Sequence, residues 1–106
     1  MQHLRLTVTP QPHGSLVAVA GELDLATATI LERCLQGILN HPGGQITVDM
    51  SAVGFIDCCG LTALLFADEQ AHIQNRRLLV AAPAPRVLQL LQLTGTEKLL
   101  EVVPAL

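Results

Sequence analysis

Aromatic side chains are nearly missing from this chain: its 106 residues include two Phe and no Tyr or Trp. The core must therefore be built from Leu, Val, Ile and Ala, and the stacking platforms that bind single-stranded nucleic acid are not available. Charge is sparse as well, at 14% of residues and a net −3, with Arg76-Arg77 the longest basic run. A phosphate-tracking surface is excluded on that count, so nucleic acid is not an expected partner. No apolar run approaches the ~18 residues of a membrane span, and the first residues lack the charged-then-apolar pattern of a signal peptide. Direct membrane insertion is not expected; a cytoplasmic location is. Three cysteines, an odd number, do not make a disulfide framework of the secreted kind. With no internal repeat, low-complexity tract or linker, residues 1–106 read as one domain, large enough to bury about 65% of its unfolded surface.

Half of the residues are apolar, and their spacing sets the elements. Leu4-Arg5-Leu6-Thr7-Val8 alternates at period two until Pro10, Pro12 and Gly14 interrupt it. Leu16 to Ala20 is a second strand closed by Gly21, and the two predict a hairpin. From Ala26 the period lengthens. Ile30, Leu31, Cys34, Leu35, Ile38 and Leu39 form the stripe of an amphipathic helix that Asn40, Pro42 and Gly43-Gly44 end. Asp24 either caps this helix or lies in the loop before it, and Cys34 reads as a small core residue. Ile46, Val48 and Met50 alternate with polar neighbours as a third strand, which runs into a short loop and then a second helix from Leu61 to Gln74. Leu78 to Ala82 is continuously apolar, as a strand buried on both faces should be. Pro83-Ala84-Pro85 opens a third helix with Val87, Leu88, Leu90 and Leu91 on its buried side and Gly95 at its end. Leu99 to Val103 is a last strand. This order predicts an α/β fold, a mixed and mostly parallel sheet with amphipathic helices packed on it.

Between the third strand and the second helix, Val48-Asp49-Met50-Ser51-Ala52-Val53-Gly54-Phe55-Ile56-Asp57-Cys58-Cys59-Gly60-Leu61 delivers an acid and two adjacent thiols to a helix start. Free backbone N–H groups and the positive end of the helix dipole make such a place comfortable for negative charge. The stretch resembles the signature of the STAS domain, the fold of bacterial anti-sigma factor antagonists. There an aliphatic run ends in Asp-Leu-Ser and is followed by Asp-Ser-Ser-Gly-Leu or Asp-Ser-Thr-Gly-Leu. Gly21-Glu22-Leu23-Asp24 resembles the family's Gly-Glu-Leu-Asp, and Leu93-Thr94-Gly95 the small-residue turn after its third helix.

Together the three matches imply a STAS fold over nearly the whole chain. They also imply a binding protein rather than an enzyme, without a cofactor. Its partner would be an anti-sigma factor, a serine kinase of the histidine-kinase-like ATPase type. Binding by partner switching would sequester that factor and free a sigma factor. In the family, a serine at the position of Cys58 accepts phosphate. That adds about −1.5 to −2 charge beside the acids that correspond to Asp24 and Asp57, and the partner is released.

Cys58 and Cys59 keep the shape of serine without its hydroxyl. The resemblance therefore carries over the two acids and the docking surface around Gly60 and Leu61, but not the phosphate switch. Thr62, one turn on, is the nearest remaining hydroxyl, and its use as an acceptor would require the kinase geometry to shift by a full turn. Three roles stay open for the thiol pair: isosteric filling that insulates the domain from phosphate control, a redox- or metal-sensing switch, or a thiol enzyme. A helix N-terminus lowers a thiol pKa, whereas the neighbouring Asp57 raises it. Adjacent Cα atoms lie about 3.8 Å apart, below the ~4.4–6.8 Å of an ordinary disulfide, so the two are poorly placed to bond each other. Neither a CxxC nor a His-x-x-x-His spacing accompanies them, so no metal site is expected. A different setting for the whole domain is a STAS subunit packed on the ATPase of a lipid-trafficking ABC transporter.

Projected at about 100° per residue, the second helix places Leu61, Leu64, Leu65, Ala67 and Ala71 toward the sheet and Thr62, Phe66 and Ile73 on the other side. Phe66 and Ile73 then form an apolar stripe leading away from the cysteine corner, either covered by neighbouring loops or offered to a partner. His3, His13, His41 and His72 read as solvated surface residues.

Overall fold

A computed structural model describes residues 4–105; His3 lies outside them. The elements run β1 (Leu4–Gln11), β2 (Gly14–Leu23), α1 (Ala28–Leu39), β3 (Gln45–Ile56), α2 (Cys58–Ile73), β4 (Leu78–Ala81), α3 (Pro85–Thr94), a short 3₁₀ turn (Thr96–Lys98) and β5 (Glu101–Val103). The five strands lie side by side in chain order. β1 and β2 are an antiparallel hairpin, and every later neighbour is parallel. The mixed, mostly parallel sheet expected from the sequence is thus what forms.

One register row shows why so few aromatics suffice. Val8 pairs with Val17, Val17 with Val48, Val48 with Val80 and Val80 with Val102, so a line of five valines crosses the entire sheet. β-Branched side chains suit a pleated surface, and the three central ones are fully buried. Against the sheet pack Leu31, Leu35 and Leu39 of α1, Leu61, Leu64, Ala67 and Ala71 of α2, and Val87 and Leu91 of α3. All four residues of β4 are buried, as its unbroken apolar run requires.

Several expectations are corrected. β1 does not stop before Pro10 but continues through it to Gln11, with Pro10 opposite Ser15. β1 is an edge strand, where a residue without an N–H forfeits no ladder bond on its outer side. β2 likewise runs past Gly21 to Leu23, through two register shifts against β3. The loop expected after Met50 is strand as far as Ile56, and the second helix begins at Cys58 rather than Leu61. On α1 the inward line is Ala28, Leu31, Leu35 and Leu39, which leaves Ile30 exposed and Cys34 half-buried. Leu88 and Leu90 of α3 are partly rather than fully buried. The last strand is cut to three residues, because the 3₁₀ turn takes up the chain before it and Leu99 faces solvent. Gly95 ends α3 in the left-handed conformation (φ 74°), as its placement predicted.

Candidate functional site

The cysteine corner forms where β3 ends. Asp57 leaves the strand in an extended conformation (φ −119°, ψ −170°) and becomes the N-cap of α2. Its Oδ1 accepts hydrogen bonds from the backbone N–H of Cys59 (2.9 Å) and Gly60 (3.2 Å). An Asp cap of this kind contributes about 1 kcal/mol. It also occupies two of the free N–H groups that would otherwise face an anion. The Asp57 N–H donates to Leu23 O at 3.0 Å, tying the start of α2 to the end of β2. Gly60 completes the joint. A Cβ at that position would stand 2.7 Å from Ile56 Cγ1 and 2.9 Å from Leu23 Cβ, so only glycine lets the helix seat on the strand ends.

Asp24 holds the turn before α1. Its Oδ1 accepts from the N–H of Ala26 (3.0 Å) and of Thr27 (3.1 Å), and its own N–H donates to Thr27 Oγ1 (3.0 Å). The Thr27 hydroxyl gives its proton to Glu22 O at 2.6 Å, the shorter of its two contacts. Asp24 is buried, so it is first of all a turn-forming acid whose charge acts on the corner from beneath.

Cys58 is exposed and Cys59 half-buried; both, with Thr62, line a mostly apolar cavity of about 280 Å³. Its far wall is Leu25, Ala28, Thr29 and Glu32, from the approach to α1 and its first turns. Burial first, then the charges of Asp57, Cys58, Asp24 and Glu32, hold the Cys59 thiol above the usual thiol range, so it stays protonated near neutral pH. Among the described residues no three His, Cys, Asp or Glu side chains cluster to hold a metal ion. Thr62 is exposed, and its hydroxyl donates to Cys58 O at 2.8 Å. Phe66 and Ile73 are 53% and 70% exposed, so no loop among the described residues covers them. Leu25, at 77%, widens the same apolar surface.

A family model described as "Mlab, STAS domain" matches residues 6–102. The chain belongs to the STAS domain family. Its relatives include the anti-sigma-B factor antagonist of Listeria monocytogenes, 24% identical over 86 residues that cover 81% of this chain and 75% of that protein. The anti-sigma-F factor antagonist RsfB of Mycobacterium tuberculosis is 31% identical over 67 residues. That match takes in 61% of this chain and about half (55%) of RsfB. Among solved structures, an anti-sigma factor antagonist from Mycobacterium paratuberculosis superposes with a TM-score of 0.89 at 28% identity, over 98% of this chain and 88% of that one. The STAS fold implied by the three sequence matches is therefore correct.

Sequence reasoning passed over Leu25, Thr29 and Glu32, because the cavity exists only where the STAS fold sets α1 beside α2. It also missed Asp68, although Asp68 falls four residues after Leu64 and three before Ala71, on the inward side of α2. Asp68 is buried, and its Oδ1 has no hydrogen-bond partner among the described residues. Its Oδ2 lies 3.4 Å from His72 Nδ1, which also contacts Asp68 O at 2.9 Å. The exposed His72 ring is thus engaged with its own helix, while His13 and His41 lie in turns at the surface.

Burial pushes the Asp68 carboxyl above its ordinary pKa; His72 opposes the shift and Glu101 adds to it. An acid whose native pKa is raised binds more protons folded than unfolded. Stability therefore falls as pH climbs from the unfolded to the native value. Asp68→Asn should raise the Tm at pH 7, and the gain should shrink as pH falls and vanish below about 3, where the wild-type acid is protonated in both states. Thermal unfolding across that range tests this; a gain independent of pH would show that the proton plays no part.

Proposed function

We propose that this STAS domain is a cytoplasmic anti-sigma factor antagonist that docks on an anti-sigma factor of the histidine-kinase-like ATPase type and escapes control by serine phosphorylation. The observation that carries this reading is the position of Cys58. It is the first residue of α2, exposed, and continuous with the uncovered Thr62, Phe66 and Ile73. In the family signature a serine kinase acts at that position. A thiol there preserves the volume the partner meets but offers no hydroxyl oxygen for phosphoryl transfer. Docking would cover the apolar side of α2, and the acids around the corner, Asp24, Asp57 and Glu32, would favour a partner surface of opposite charge. Without added phosphate that attraction is not reversed, so release must come from competition or from chemistry at sulfur. The antagonist names of the relatives favour this reading over a transporter subunit.

The test is to capture partners from source-cell lysate with the tagged domain, in reduced and mildly oxidised samples, and to identify them by mass spectrometry. An ATPase-type anti-sigma factor recovered equally from both supports the proposal with passive cysteines. Recovery only under reduction would make the thiol pair the switch. A transporter ATPase in its place would overturn the antagonist reading. With the partner in hand, Cys58→Ser should gain one phosphate per chain in the presence of ATP, and the wild type none.

A further inference from the structure

β2 and β3 finish at the cysteine corner; at their starting ends lies an unrelated feature, a buried cation without an acid. Arg76 is 8% exposed. Its Nε donates to Gly44 O at 2.8 Å, and its Nη1 donates to His41 O and Gln74 Oε1, each at 3.1 Å, with Ile38 O at 3.4 Å. These bonds gather up the carbonyl ends of α1 and the turn after it, which accounts for part of the side chain. They do not account for all of it. Every acceptor is neutral, and among the described residues no carboxylate lies within ion-pair distance of Arg76. A guanidinium has five N–H donors, and the two on Nη2 have no acceptor among the described residues.

That free edge borders a cavity of about 430 Å³ lined by Arg76, Gly14, Ser15, His41, Gly43 and Gly44, among others, with no Asp or Glu in its wall. The backbone N–H groups of Gly43 and Gly44 make no hydrogen bond among the described residues. Ser15 brings a hydroxyl. The His41 ring contacts Gly37 O through Nδ1 at 2.9 Å, which leaves Nε2 free. A buried charge served only by neutral partners gains from an anion that can reach it. Beside the carbonyls that Arg76 already serves, the cavity holds unused donors, and Gly43 keeps the approach open, since a Cβ there would stand 3.0 Å from Nη2.

We propose that this cavity binds a small oxyanion, the phosphate or carboxylate group of a small molecule, with Arg76 Nη2 as its principal donor and the N–H groups of Gly43 and Gly44 beside it. The site is independent of the docking face on α2.

The experiment is an NMR titration of the intact protein at pH 7 with inorganic phosphate, with acetate, and with chloride at matched ionic strength. Phosphate should shift the amide signals of Ser15 and Gly44 and the Arg76 Nε–H signal saturably. Gly43→Ala, which sets a methyl against Nη2, should weaken that binding at least about tenfold, the cost of losing one charge-assisted hydrogen bond, while its spectrum stays dispersed as a folded protein's does. A response to phosphate alone assigns a phosphoryl ligand, and a response to acetate as well assigns any oxyanion. Equal shifts with chloride, or phosphate shifts unchanged in Gly43→Ala, overturn the proposal. So does the lack of a saturable response in the wild type, whatever the variant does.

Discussion

Phe66→Ala is expected to weaken binding of the anti-sigma partner about 30-fold, roughly 2 kcal/mol, while costing less than about 1 kcal/mol of stability. The two effects separate because Phe66 stands 53% exposed, in the middle of α2 and on the side away from the sheet. Its ring has few neighbours to lose within the domain and a large apolar area to offer outside it. Both phenylalanines are exposed, Phe55 in β3 at 45%, and Phe66 is the one on α2, four residues beyond Thr62 and two turns before Ile73. Large exposed apolar groups on one helix face, rimmed by polar residues, mark interaction surfaces. Calorimetric titration of the partner with wild type and variant, beside thermal unfolding of each, reads both numbers. A Tm drop of the size a core truncation gives, with affinity unchanged, would return Phe66 to the role of a structural residue.

How much of this was legible in the sequence depended on which interactions set each feature. Period-two alternation gave Ile46, Val48 and Met50 correctly, and all three are fully buried. Beyond Met50 the buried residues of β3 are Val53 and Ile56, three apart instead of two. The register shifts between β2 and β3 cause this: each shift slips the pleat, so a strand whose pairing is irregular no longer alternates. The segment then resembles a loop, and only the pairing with β2 reveals it as strand. The acid at the corner was legible but its capping role was not read, because the helix was expected only from Leu61 and the cap at Asp57 shows once α2 starts at Cys58. The cavity beside it was not legible. Leu25 and Glu32 meet Cys58 only through the packing of α1 against α2, a contact that spacing along one helix does not encode. Asp68 lay between the two cases, visible from its inward spacing but overlooked because an acid is not expected to be buried.

Gly60→Ala should cost about 2 kcal/mol net and lower the Tm by roughly 10 °C. Ordinarily the exchange favours a helix, by up to about 1 kcal/mol, because alanine loses less backbone freedom on folding. Here the added methyl would sit 2.7 Å from Ile56 Cγ1, 2.9 Å from Leu23 Cβ and 3.1 Å from Leu23 O. Rotation of the Ile56 side chain relieves the first contact. The other two involve a Cβ and a backbone oxygen fixed within β2, which have no rotamer to change. The remaining route is to lift α2 from the strand ends, which stretches the Asp57 N–H bond to Leu23 O and carries Cys58 and Cys59 away from Leu25 and Glu32. The stability loss should therefore come with weaker partner binding, the reverse of the separation expected at Phe66. Gly37→Ala supplies the control. Gly37 lies within α1, and a Cβ there meets nothing within 4 Å, so the helix preference acts alone and the Tm should rise. If both glycines responded alike, close packing would not be the reason for glycine at the corner. Opposite signs would show that this residue, lodged between two thiols and a leucine, sets how near the helix can sit and so where the thiols are presented.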